Sequence, residues 1–272
     1  MAQRRLPFLR ILAEAYRCSV QAAGAAPLSL AAAGLLVIAE DVTQQAAGLT
    51  AKDPMSAFSD PVLAGLFLWK EVGIWLITLL AFRLVLSGDR GVRLWRIDRW
   101  ALAIFALMLA DLILANWEAY AAAQTAALLA VDLNHWAVTA VKLSTVLLLG
   151  VAELRLFELI QPAWATGDGS AGFGAGWRRM RGNTWLVWLA TVLCPLPIMV
   201  GHYALGYAFR GGGGEPLQLA AMAFDGLIET VIVLLSTALN AVVFDRLAGR
   251  RALPEVAPQT PIHAGVPSPA GL

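Results

Sequence analysis

Residues 217–244 read LQLAAMAFDGLIETVIVLLSTALNAVVF. At about 1.5 Å per residue this run is long enough to cross a bilayer core of about 30 Å. It nevertheless carries Asp225, Glu229, Ser236 and Asn240, and at ~100° per residue these four fall within roughly 60° of one another. The run therefore reads as a membrane-spanning helix with one polar stripe. An ionised carboxylate facing lipid costs a few kcal/mol, so the stripe faces protein or water and other helices surround it.

Composition agrees with that reading. Of 272 residues 59% are hydrophobic and 14% are charged, with net charge +1, whereas soluble domains run near about 25% charged. Mean hydropathy is +0.67. The apolar segments are long and continuous, which favours an all-α bundle over a β-barrel, whose strands alternate in segments of about ten residues. Cys18 and Cys194 lie in a basic amphipathic segment and an apolar one, so neither a disulfide framework nor a metal site is expected. No cofactor is expected either.

The chain divides into an N-terminal interfacial helix, six spans and a tail. On a helix over residues 6–21, Phe8, Leu12, Ala15 and Ser19 line one side and Arg10, Glu14, Arg17 and Gln21 the other, the pattern of a helix lying in the membrane surface. A signal peptide would place its apolar run directly after a short basic start, and here amphipathic residues intervene. Pro27 suits the first position of span one, over about 27–45, although a start near Cys18 with Pro27 inside is also compatible. The later spans are expected over about 61–86, 100–123, 134–160, 183–209 and 217–244. Ala119 to Val131 is apolar and small enough to belong to either the third or the fourth. Pro195 and Pro197 should kink span five. Residues 1–251 form one membrane domain, and the Pro-rich segment 252–272 has too few apolar residues to fold.

Orientation follows from the loops. Arg4, Arg5, Arg10, Arg17, Arg83, Arg90, Arg93, Arg96, Arg99, Arg155, Arg178, Arg179, Arg181, Arg246, Arg250 and Arg251 fall on one face, and Lys52 and Arg210 on the other. With cationic loops inside, both termini are cytoplasmic. Arg90, Arg93, Arg96 and Arg99 interleave with Trp95 and Trp100, and Arg178, Arg179 and Arg181 stand beside Trp177 and Trp185. At a membrane boundary this composition points to the bilayer and anionic headgroups as partners rather than to nucleic acid.

Two basic residues remain inside spans, Lys70 and Lys142. Counted from the outer end, Lys142 and Glu229 both lie about 15 to 18 Å deep, near the midplane. His135, Thr139, Lys142 and Glu153 form a stripe within roughly 60° on span four, so Lys142 is expected to pair with Glu229. Lys70, Glu71 and Asp111 also come out near mid-depth. Adjacent residues point ~100° apart, so Lys70 and Glu71 face different neighbours. Two lysines against Glu71, Asp111, Asp225 and Glu229 leave an acidic excess that needs protons, water or a cation. Lys70, Glu71, Asp111, Lys142, Asp225 and Glu229 are thus the candidate polar pathway. The competing expectation is that such pairs only fix helix register, contributing little net stability yet costly to break singly. His202 reads as a hydrogen-bonded group in the outer part of span five.

The loop GDGSAGFGAG lacks the Gly-Lys-Ser/Thr ending of a P-loop and reads as a linker. No Ser/His/Asp arrangement, HExxH or dinucleotide fingerprint is present, so the chain is not expected to be an enzyme. The stretch LFELIQPAWA followed by GWRRMRGNTWLVW resembles a segment in a loose group of bacterial six-span proteins related to the membrane domain of some glycerophosphodiester phosphodiesterases. Pro162, Ala163, Trp177, Arg178, Arg181, Gly182 and Trp185 carry the resemblance, and the similarity in topology extends over roughly residues 6–249. It implies a membrane topology and no activity, because the phosphodiesterase domain itself is absent. The resulting expectation is a protein of the bacterial inner membrane that binds or passes a small charged solute or ion through a polar midplane cluster. The alternative is a non-catalytic scaffold or assembly subunit with structural ion pairs.

Overall fold

The computed structural model of the chain describes residues 6–46, 60–88, 91–113, 151, 159–167, 172–209 and 215–248, and every element among them is helical. In order they are α1 (Phe8–Ala25), α2 (Pro27–Ala46) and α3 (Pro61–Phe82), then α4 over residues 99–113. There follow α5 (Ile160–Ala165), α6 (Phe173–Met180), α7 (Thr184–Leu193), α8 (Leu196–Phe209) and α9 (Glu215–Ala248).

Local chemistry explains the boundaries. Asp60 caps α3 by accepting hydrogen bonds from the Val62 and Leu63 amides, with Pro61 in the first-turn position where its missing N–H costs nothing. At its far end α3 widens into a π-helical turn, Arg83–Ser87, which stops at Gly88 with φ 64°. A left-handed residue there favours glycine. Asp98 caps α4 through the Trp100 and Ala101 amides at 3.1 and 3.0 Å. Between α7 and α8 the helix breaks at Cys194 and Pro195, as the absent proline donor requires.

Helices α2, α3 and α9 pack on one another and form the centre, with α1 and α8 laid against α9. Glycines allow the close approach. A methyl group on Gly34 of α2 would sit 2.9 Å from Thr230 Cγ2 of α9. On Gly73 of α3 it would sit 3.0 Å from Leu36 Cβ and 3.2 Å from the Ala33 carbonyl, and on Gly226 of α9 2.9 Å from Ile38 Cα. Helix α2 thus meets both α3 and α9 through small residues, the usual device where no hydrophobic driving force separates helix from lipid. Around these contacts Leu30, Ala33, Val37, Ile77, Leu80 and Leu234 make one apolar cluster. Ile11 and Ala15 of α1 join Val187, Ala190, Leu239 and Phe244 in a second.

Three stretches are long and apolar enough to cross a membrane: Pro61–Ser87, Thr184–Ala204 and Pro216–Ala248. Phe8–Ala25 and Pro27–Gln44 make a fourth if taken together as one span, bent by 101°. The described residues therefore hold three to four of the six spans expected. Expected spans 61–86, 183–209 and 217–244 coincide with helices, and 27–45 coincides with α2. Span 100–123 is described only as far as residue 113, and nearly all of 134–160 lies outside the described residues, as does the tail 252–272. The segment expected as an interfacial helix over 6–21 is the first part of α1, whose buried stripe is Ile11, Ala15, Cys18, Ser19 and Ala22. Its expected polar side is only partly so. Glu14 is largely buried in an ion pair with Arg246 at the end of α9.

Candidate functional site

Lys70 stands one turn before Gly73 on α3, Glu40 and Asp41 one turn after Leu36 and Val37 on α2, and Glu229 one turn after Gly226 on α9. Because the glycine contacts fix the three helices one turn away, the four side chains converge. Lys70 Nζ lies 2.7 Å from Glu229 Oε2, 2.9 Å from Asp41 Oδ1 and 3.7 Å from Glu40 Oε2. The neighbouring Trp69 donates its indole N–H to the Leu36 carbonyl at 3.0 Å, which holds α3 in register with α2. Asp41 Oδ2 is buried without a hydrogen-bond partner among the described residues, and a methyl group on Gly226 would come within 2.8 Å of it. One ammonium against three carboxylates leaves a formal charge of 1 − 3 = −2. Such an excess held among apolar helices is a place for protons, water or a solute.

A second pair adjoins the first. Asp225 is one turn before Glu229 on α9, and its Oδ1 lies 2.6 Å from His202 Nδ1 on α8. Both atoms are buried, and neither makes a hydrogen bond with a described residue, so the pair is a close approach that is not aligned as a hydrogen bond. The His202 ring also meets Tyr203 edge to face at 5.1 Å. Glu71, the next residue on α3, is buried, with Lys70, Glu229 and Asp111 as its electrostatic neighbours. Asp111 of α4 has its Oδ1 buried without a hydrogen-bond partner among the described residues.

Of the sequence-predicted pathway, Lys70 and Glu229 meet directly, and Glu71, Asp111 and Asp225 lie around them. Lys142 lies outside the described residues. Among the described residues Glu229 has Lys70 as its partner, since α3 packs directly on α9; its expected pairing with Lys142 lies outside them. Asp225 has His202 beside it, where the sequence suggested no partner. Glu40 and Asp41 were missed, because two acids close to the end of span one read as a helix terminus. Their signal is that they precede that end by more than a turn, so that the helix carries them inward.

The arginines also divide. Arg93, Arg96, Arg99, Arg178, Arg179 and Arg181 are exposed, with Arg99 5.1 Å above the Trp100 ring; Arg90 lies outside the described residues. Arg83, counted in sequence as a loop cation, is instead almost wholly buried. It donates to the Leu94 carbonyl at 2.9 Å and the Ala165 carbonyl at 3.4 Å and lies 3.9 Å from Asp98. The guanidinium thereby ties the end of α3 to α4 and α5, a bridging role suited to its fixed fork of donors.

Among the described residues no group of three or more His, Cys, Asp or Glu side chains is disposed to hold a metal ion. At the three carboxylates the Lys70 ammonium takes the position a cation would occupy. Comparison of the chain with protein-family models, with curated proteins and with solved structures finds no match.

Proposed function

We propose that this chain is an integral protein of the bacterial inner membrane, with six spans and both termini cytoplasmic, that binds or passes a small charged solute through the cluster around Lys70. The observation that carries this reading is the convergence of Glu40, Asp41 and Glu229 on one lysine between three packed helices. Intramembrane charges are costly and are retained where they line a route for ions or polar solutes. The bend of 101° between α1 and α2 fits the same arrangement, since α1 lies in the membrane plane when α2 stands across it. The exposed arginines near Trp95 and Trp177 then rest against anionic headgroups. No catalysis is proposed.

A scaffold or assembly role is the second reading, and the glycine contacts favour it. They sit one turn from every charge in the cluster, so the ion pairs could serve only to pin the register of α2, α3 and α9. Flux separates the two. Full-length protein in vesicles containing anionic lipid is challenged in turn with gradients of sodium, potassium, chloride and protons while a potential-sensitive dye reports charge movement. Movement of at least one species above protein-free vesicles supports the pathway. Dye signals indistinguishable from protein-free vesicles under all four gradients leave the scaffold reading.

A further inference from the structure

We propose that the species handled at the Lys70 cluster is the proton, and that His202 with Asp225 forms its entry. This rests on the pathway reading above and names the charged species. The side chains form a series of titratable groups with one gap, between Asp225 and Glu229. His202 Nδ1 is 2.6 Å from Asp225 Oδ1. Asp225 and Glu229 are four residues apart on α9, hence about 6 Å apart on one face. Glu229 is 2.7 Å from Lys70, and Lys70 is 2.9 Å from Asp41. Side-chain exposure along the series is 30% for His202, 22% for Asp225, 29% for Glu229, 18% for Lys70, 13% for Asp41 and 2% for Glu40. The route thus begins at a group open to its surroundings and ends in the interior.

Three observations favour a proton over a metal ion or larger solute. The Lys70 ammonium already fills the space between the carboxylates, and among the described residues no set of donors suits a metal. Asp41 Oδ2 is buried with no hydrogen-bond partner among the described residues, and a proton there turns the group into a donor. Among the described residues, the remaining titratable groups near the cluster are Glu71 on α3 and Asp111 on α4, both anionic when ionised.

Each step moves one proton and no electrons. His202 takes a proton from outside on Nε2 and gives the one on Nδ1 to Asp225. Asp225 passes it across one turn through water to Glu229. A neutral Glu229 weakens its pair with Lys70, which leaves the ammonium to Asp41 and Glu40. Beyond the cluster, the next polar contact along the α3 and α9 interface is Thr78 with Thr237, whose hydroxyls are 3.5 Å apart and buried. Each lies eight residues, about 12 Å, past Lys70 or Glu229, and Ile77, Leu80 and Leu234 pack around that interval. Among the described residues, the polar series therefore opens at the His202 end.

The test uses full-length protein in vesicles with a trapped pH dye, a potassium gradient and valinomycin. Wild type should take up protons, and His202→Gln and Asp225→Asn should each slow uptake roughly tenfold or more. The double variant should be no slower than either single, as members of one series. Gel filtration verifies folding of each variant. Because a variant can fail to fold, wild type is also treated with diethyl pyrocarbonate, which should block uptake reversibly with hydroxylamine, whereas residual uptake by His202→Gln should be insensitive. Uptake that survives full modification, or that is unchanged in folded His202→Gln, overturns the entry role. If sodium, potassium or chloride moves while protons do not, this inference fails and the charged-solute reading stands; if none moves, both fail.

Discussion

Lys70 is the ammonium that Glu40, Asp41 and Glu229 share, and removing it leaves three carboxylates facing one another in the interior. Lys70→Met should therefore cost roughly 3 to 5 kcal/mol, partly relieved by protonation of the acids. Glu229→Gln alone should cost less, because Asp41 still holds the ammonium at 2.9 Å. The two changes together should be less destabilising than the sum of the singles by about 0.5 to 3 kcal/mol, the range for groups in direct contact. Thermal unfolding of the three variants in detergent measures this, and strict additivity would show that the 2.7 Å approach contributes nothing. Sequence alone made Lys70 and Glu229 visible as charges at mid-depth, because apolar runs expose any interruption. It did not bring Lys70 and Glu229 together, because periodicity records where a residue lies on its own helix and nothing about the helix opposite. Arg83 was hidden for a related reason: a cation at the end of an apolar run looks the same whether it points to headgroups or folds back onto the carbonyls of Leu94 and Ala165.

At the scale of elements, the positions of the charges depend on how closely α2 approaches its neighbours. Gly226→Val would bring side-chain atoms against Ile38 Cα and Asp41 Oδ2, where even a single methyl group meets them at 2.9 and 2.8 Å. Overpacking of this kind costs about 1 to 3 kcal/mol, and it should push Asp41 away from Lys70. Gly65→Ala on α3 has nothing within 4 Å and should be neutral or slightly stabilising, since alanine is the better helix former by roughly 0.5 to 1 kcal/mol. Unfolding midpoints of the two variants, compared with wild type, decide the matter. Equal midpoints would mean that the triad is looser than these contacts. The helices themselves were largely legible: the starts at Pro27 and Pro61 and the break at Pro195 follow from proline's lost donor. The π-turn at Arg83–Ser87 was not, because its residues continue the apolar run without any change of composition.

For the whole molecule, the cationic loops predict an orientation that fusions can test. Reporters placed after residues 50, 130 and 213 should report outside, and those after 92, 170 and 255 inside. An inside signal at 213 would remove the pair of spans formed by residues 183–209 and 217–244. The bearing of the polar cluster on function is tested most directly by one comparison. Wild type and the Lys70→Met, Glu229→Gln double variant are reconstituted at equal folded content, and the current each carries is measured at a fixed potential across a planar bilayer. The double variant keeps the triad's glycine contacts and loses the Lys70–Glu229 pair at its centre, with Glu40 and Asp41 left in place. The account predicts a wild-type current that falls roughly tenfold or more in the folded double variant; a double variant that conducts as well as wild type, or a wild type that carries no current, would contradict it and leave the cluster as a register pin.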